Sequence, residues 1–119
     1  MKIGKRSDTI SLAATLNGAA MGIENLDGYS ICASWTNGGS LTGSLKLQAS
    51  NNALTDNVNS TANSTAIWVD IPGSTVAVSG AGSQFWNVAD ANYAAYRIVW
   101  TNTTGTGSLT AHHLIKGPQ

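Results

Sequence analysis

The chain has 119 residues, six Lys and Arg against six Asp and Glu, a formal net charge of zero, and only 10% charged residues. That balance excludes nucleic-acid binding through a basic surface, and it excludes an extended tail of like charges. Hydrophobic residues make up 42%, enough for one packed core, while Ser, Thr, Gly and Asn supply 50 of the 119 positions, so the polarity comes from small neutral side chains.

The chain opens MKIGKRSDTIS, and Lys2, Lys5 and Arg6 carry half of all its positive charge. Two readings stand side by side. One is a solvated start, and the other is a basic arm that docks on an acidic neighbour. Residues 1–7 are taken as that arm and 8–119 as a single β-sandwich domain. Ser7, Asp8, Thr9 and Ser11 interrupt the apolar run a secretory signal needs, so the expectation is a protein made in the cytosol and kept there, or released by another route. No apolar run reaches the length of a membrane span.

From residue 10 onward the dominant signal is period two. Ile10, Leu12, Ala14 and Leu16 alternate with polar or small partners, then Tyr29, Ile31, Ala33 and Trp35, then Leu45, Leu47 and Ala49. Ile67, Val69 and Ile71 alternate with Trp68 and Asp70, followed by Val76 and Val78. Tyr96, Ile98 and Trp100, then Leu109, Ala111, His113 and Ile115, close the series. Successive side chains leave a strand on opposite faces, so each run predicts a half-buried strand. Asn17-Gly18, Asp27-Gly28, Asn37-Gly38-Gly39, Pro72-Gly73, Gly80-Ala81-Gly82 and Gly105-Thr106-Gly107 supply turn residues between the runs. Residues 51–65 lack any period and predict a long polar loop. Residues 88–95 are the best helix candidate, and they are too short to stand as one. The prediction is an all-β, antiparallel, jelly-roll-like sandwich of about eight strands.

The residues of chemistry are sparse. Cys32 is the only cysteine and sits within a predicted strand, so no internal disulfide is possible. His112 and His113 are neighbours on a strand and point to opposite faces; one is expected to be buried and hydrogen-bonded, the other at the surface. The six acids are scattered singly, and no motif nominates a catalytic pair or a metal-ligand set. Gly38 to Gly43 lacks the Lys-Ser/Thr of a phosphate loop. Asn59, Asn63 and Asn102 begin glycosylation sequons that an Asn/Ser/Thr-rich chain produces by chance. The expectation is a non-enzyme with no cofactor and no metal. Of the four tryptophans, Trp35 and Trp100 share parity with core aliphatics. Trp68 and Trp86 are the candidates for exposure, with burial under a loop as the equal alternative. An exposed Trp on such a surface stacks on a sugar ring or anchors a protein interface.

Gly43-Ser44-Leu45-Lys46-Leu47-Gln48-Ala49-Ser50-Asn51, then Trp68-Val69-Asp70-Ile71-Pro72-Gly73-Ser74, then Tyr96 to Thr101 and Gly105 to Ala111, follow a distinctive order. Over roughly residues 28–113 this order resembles small β-sandwich virion structural proteins of tailed bacteriophages, of the capsid decoration or cement type, and is loosely similar to discoidin-like sandwiches. The resemblance implies a virion component on the capsid surface, made in the host cytoplasm. It would bridge subunits of a major capsid protein and self-associate as a dimer or trimer, with no nucleic-acid or membrane partner. Lys2, Lys5, Arg6, Trp68 and Trp86 are the residues expected to meet the capsid. A carbohydrate-binding or adhesion module of a phage tail or cell-surface assembly is the alternative.

Overall fold

The computed structural model describes residues 3–18, 21–22, 28–51, 66–89, 91 and 93–116. Among them are eight strands: β1 (Ile3–Ser11), β2 (Leu16–Asn17), β3 (Met21–Gly22), β4 (Gly28–Ser50), β5 (Val69–Asp70), β6 (Val76–Ser79), β7 (Gly82–Val88) and β8 (Ala95–Lys116). Every pairing between them is antiparallel. The all-β sandwich with about eight strands expected from the alternation is what the chain forms.

Two long strands make the frame. β4 and β8 pair from Gly28↔Lys116 to Ser50↔Ala95, interrupted only by register shifts between Asn37 and Gly43. There the ribbon folds back on itself. The first layer holds β1, the second half of β8, the first half of β4, and β7. The second layer holds β2 and β3, the first half of β8, the second half of β4, and then β5 and β6. The flanking chain crosses the same crease, through residues 12–15 on one side and Gly80-Ala81 on the other.

This geometry corrects one reading of the glycines. Asn37-Gly38-Gly39 and Gly105-Thr106-Gly107 do not separate strands; they lie opposite each other inside β4 and β8, where Asn37 pairs with Gly107 and Gly39 with Thr106. A β-bulge needs the same permissive backbone as a turn, and it bends a strand without ending it. Gly105 has φ +83°, and a Cβ there would collide with the carbonyls of Gly39 and Ser40. The Asn37 side chain secures the bend, its Oδ1 accepting from the N–H groups of Gly39 (2.9 Å) and Leu41 (3.1 Å).

The core lies between the layers. Tyr29, Ile31, Ala33 and Trp35 of β4 face Tyr96, Ile98 and Trp100 of β8, with Leu41, Leu45, Leu47, Leu109 and Ala111 filling the rest. Tyr29 stacks on Tyr96 with centroids 3.7 Å apart. Each buried indole N–H finds a carbonyl, as burial requires. Trp35 donates to Gly80, Trp86 to Ser74 and Trp100 to Leu12, each at 3.0 Å. The bonds to Gly80 and Leu12 tie the crossing segments to the sheet, and the bond to Ser74 ties β7 to the connection between β5 and β6.

The flanks depart from the alternation. Ile10 and Leu12 are buried, but Ala14 and Leu16 are exposed because β1 ends at Ser11. Ile67 and Val69 are 68% and 62% exposed, and only Ile71 of that run packs on the core. Residues 3–7, expected in a basic arm, belong to β1 and pair with residues 112–116 of β8, so from Ile3 onward the segment is sheet and not a free extension.

Candidate functional site

The outer face of the first layer is built by register. Residues directly opposite on antiparallel strands share a face. Ser7 of β1 opposes His112 of β8, His112 opposes Cys32 of β4, and Cys32 opposes Phe85 of β7. These four form one transverse row across four strands. Lys5, Leu114, Ser30 and Asn87 form the next row on one side, and Thr9, Thr110, Ser34 and Ser83 the next on the other. No carboxylate stands in these three rows. An open groove of about 390 Å³ runs along the first two, between Lys5 and Phe85. The Phe85 ring is 61% exposed, and Cys32 and His112 are also at the surface. Ser7 Oγ and His112 Nδ1 are hydrogen-bonded at 2.8 Å, which fixes the imidazole against β1. The face offers hydroxyls, an imidazole, a thiol, one ammonium and an exposed aromatic ring, a surface suited to contact.

The second layer's outer face is tied up by its own side chains. Arg97 donates through Nε (2.9 Å) and Nη2 (2.7 Å) to Gln48 Oε1. Gln48 Nε2 donates to Asp70 Oδ1 at 2.9 Å, and Lys46 Nζ to Asp70 Oδ2 at 3.0 Å. The Arg97 guanidinium lies 4.1 Å from the centre of the Trp68 ring. Hydrogen bonds from Gln48 and then Lys46 hold the Asp70 carboxyl below its ordinary value. Desolvation lowers that of Arg97.

Beneath the first layer lies a buried titratable cluster. His113 is 3% exposed; its Nδ1 is hydrogen-bonded to Tyr96 Oη at 2.8 Å, and its Nε2 lies 3.4 Å from Asp8 Oδ2. Burial pushes the imidazole below its usual range, with the Asp8 charge opposing in part, so the neutral form prevails at pH 7. Tyr29 and Tyr96 are pushed well above the ordinary phenol range, first by burial. The expectation of one buried, hydrogen-bonded histidine and one surface histidine holds: His113 is the first and His112 the second.

Of the residues singled out in the sequence, Lys5 and Arg6 come to the same groove and the two tryptophans lie elsewhere. Lys2 lies outside the described residues. Lys5 lines the groove. Arg6 also lines the groove, and its Nε is 3.6 Å from Asp8 Oδ1, on the opposite side of β1 from Lys5. Trp68 is half-buried beside the second layer, under Arg97. The exposure considered for Trp86 is corrected: it opposes Ile31, points into the core at 6% exposure and donates to Ser74. Its neighbour Phe85 takes the outward place, as alternation demands once Trp86 is fixed inside. The signal for Phe85 was its position next to Trp86, with no indication of which of the two faced out.

Among the described residues no group of three His, Cys, Asp or Glu side chains could hold a metal ion. No helix there is long and apolar enough to cross a membrane.

No protein-family model matches the chain, and no curated protein matches it. Solved structures do. The chain is similar to the SPBc2 prophage-derived protein YomS, with 11% identity, 96% of each chain covered and a TM-score of 0.55. At that identity the likeness shows a shared fold. Two weaker likenesses are to a chain of the cyanophage Pam1 capsid asymmetric unit (16% identity, 98% of this chain and 85% of that one, TM-score 0.40) and to a Bacillus endospore appendage pilus protein (16%, 98% and 89%, TM-score 0.46).

Proposed function

We propose that the chain is a non-catalytic structural protein of a phage virion, a decoration (cement) protein that seats on the major capsid protein and stabilises contacts between its subunits. One observation carries this reading. The chain's exposed aromatic ring, Phe85, stands on an open four-stranded face, in a row of hydroxyl, imidazole and thiol groups. Such a face binds another protein by shape and short-range contact. The fold shared with a prophage-derived protein supports a phage origin. Modest single contacts suffice where many copies sit on a symmetric lattice and adjacent copies reinforce one another.

The test is co-sedimentation of the full chain with purified phage heads that lack it. Saturable pelleting is expected, weakened at least about tenfold by Phe85→Ser, a truncation at an interface anchor. Failure to pellet at tens of micromolar defeats the proposal. A carbohydrate-binding or adhesion role through an exposed tryptophan falls to Trp68, since Trp86 is buried, and one face of Trp68 already carries Arg97. Quenching of tryptophan fluorescence by host polysaccharide, abolished by Trp68→Ala, would favour that role instead.

A further inference from the structure

β1 is a nine-residue strand that, among the described residues, pairs with β8 alone. Its other side runs for about 30 Å and, among the described residues, offers N–H and C=O groups that no strand pairs, open to any strand of matching register. We propose that its occupant is β1 of a second copy of this chain, paired antiparallel across a two-fold axis at Ser7, so that the two first layers join as one sheet. This holds whether or not the chain binds a capsid.

The charges choose both the occupant and the register. Opposed residues on antiparallel strands share a face, so a register that keeps Lys5 and Ser7 on the outer side in both copies must place its axis on a residue. An axis at Lys5 opposes two lysines, one at Arg6 two arginines, and one at Asp8 two carboxylates. Only an axis at Ser7 sets both Arg6 residues against Asp8 of the other copy. Lys5 then meets Thr9, Gly4 meets Ile10, and Ile3 meets Ser11, so all nine residues of each strand are paired. Within each copy Arg6 and Asp8 already lie 3.6 Å apart, so the four side chains form a ring of alternating sign about the axis. The row of Ser7, His112, Cys32 and Phe85 would continue through the axis into its symmetry mate, doubling the contact face.

Sedimentation velocity on the full chain tests this. A monomer–dimer equilibrium in the micromolar range is expected. Arg6→Glu should weaken it at least about tenfold, Asp8→Lys likewise, and the double exchange should restore it to within about threefold. Asp8 also approaches His113, so its variant could fail to fold, and a cross-link supplies an independent readout. In a Cys32→Ser background, Ser7→Cys should form an intermolecular disulfide on mild oxidation, because opposed Cα atoms fall within disulfide reach. Thr9→Cys should not, because Thr9 faces Lys5. A monomer throughout, a dimer indifferent to Arg6→Glu, or a Thr9→Cys disulfide as ready as that of Ser7→Cys overturns the proposal.

Discussion

The two layers share their central strands yet differ in how they finish their surfaces. On the second layer's outer face, Arg97, Gln48, Asp70 and Lys46 bond to one another and Trp68 lies against the guanidinium. On the first layer's face, the one cross-strand side-chain bond in the central row joins Ser7 to His112, and Phe85 stands in solvent. The edges differ in the same sense. The second layer is flanked by pieces of two to four residues, β2, β3, β5 and β6. The first is flanked by β1 with nine residues and β7 with seven. Short edge strands are a common protection against unwanted pairing. Among the described residues, one layer satisfies its own polar groups, and the other leaves a long edge and an open face.

This contrast can be broken in graded ways. The core beneath both layers should show the largest effect. Trp100→Ala removes a fully buried indole and its bond to Leu12, and should cost about 3–5 kcal/mol in a urea titration. Next comes the crease that lets one ribbon serve both layers. Gly105→Ala forces a side chain into a left-handed backbone against two carbonyls, and should cost about 1–3 kcal/mol. The buried histidine gives a pH signature to the first layer. Burial holds its imidazole below the ordinary histidine value of 6.5 when folded, so the unfolded chain binds the proton more strongly. Stability from this group is therefore present above 6.5 and lost as pH falls through that value toward the lowered folded one. The urea midpoint should drop as the pH falls below 6.5. A His113→Gln variant, less stable at neutral pH, should show a flatter slope.

Smaller still is the second layer's network. Arg97→Ala loses two hydrogen bonds and the ring contact, about 1 kcal/mol or less at this half-exposed site, and should alter the Trp68 fluorescence. At the bottom of the scale, Phe85→Ser should leave stability within about 0.5 kcal/mol while weakening attachment to heads. A large stability loss from Phe85→Ser would mean that the first face supports itself after all, and the contrast between layers would fail.

The central strands were legible in the sequence because they are long. Over Tyr29 to Trp35 and Tyr96 to Trp100, alternation had room to establish which face is inside, and the structure buries those residues. The flanks were not. Ile67 and Val69 alternate as cleanly as Ile31 and Ala33, but β5 has only two residues, and the two side chains stay 68% and 62% exposed. The creases were misplaced for a different reason. Asn37-Gly38-Gly39 advertises a permissive backbone, and only the opposing strand decides whether the chain turns there or bends and continues. The candidate face was invisible as a unit because Ser7, Cys32, Phe85 and His112 come from four strands. Register joins them, and local sequence does not encode register.

β8 supplies an inner strand to both layers, and among the described residues every other strand precedes it. Among the described residues β1, β2 and β3 pair with β8 alone, so during synthesis these pairings wait until residues 95–116 have left the ribosome. Assembly must then bridge separations of about a hundred residues, which favours slow, all-or-none folding.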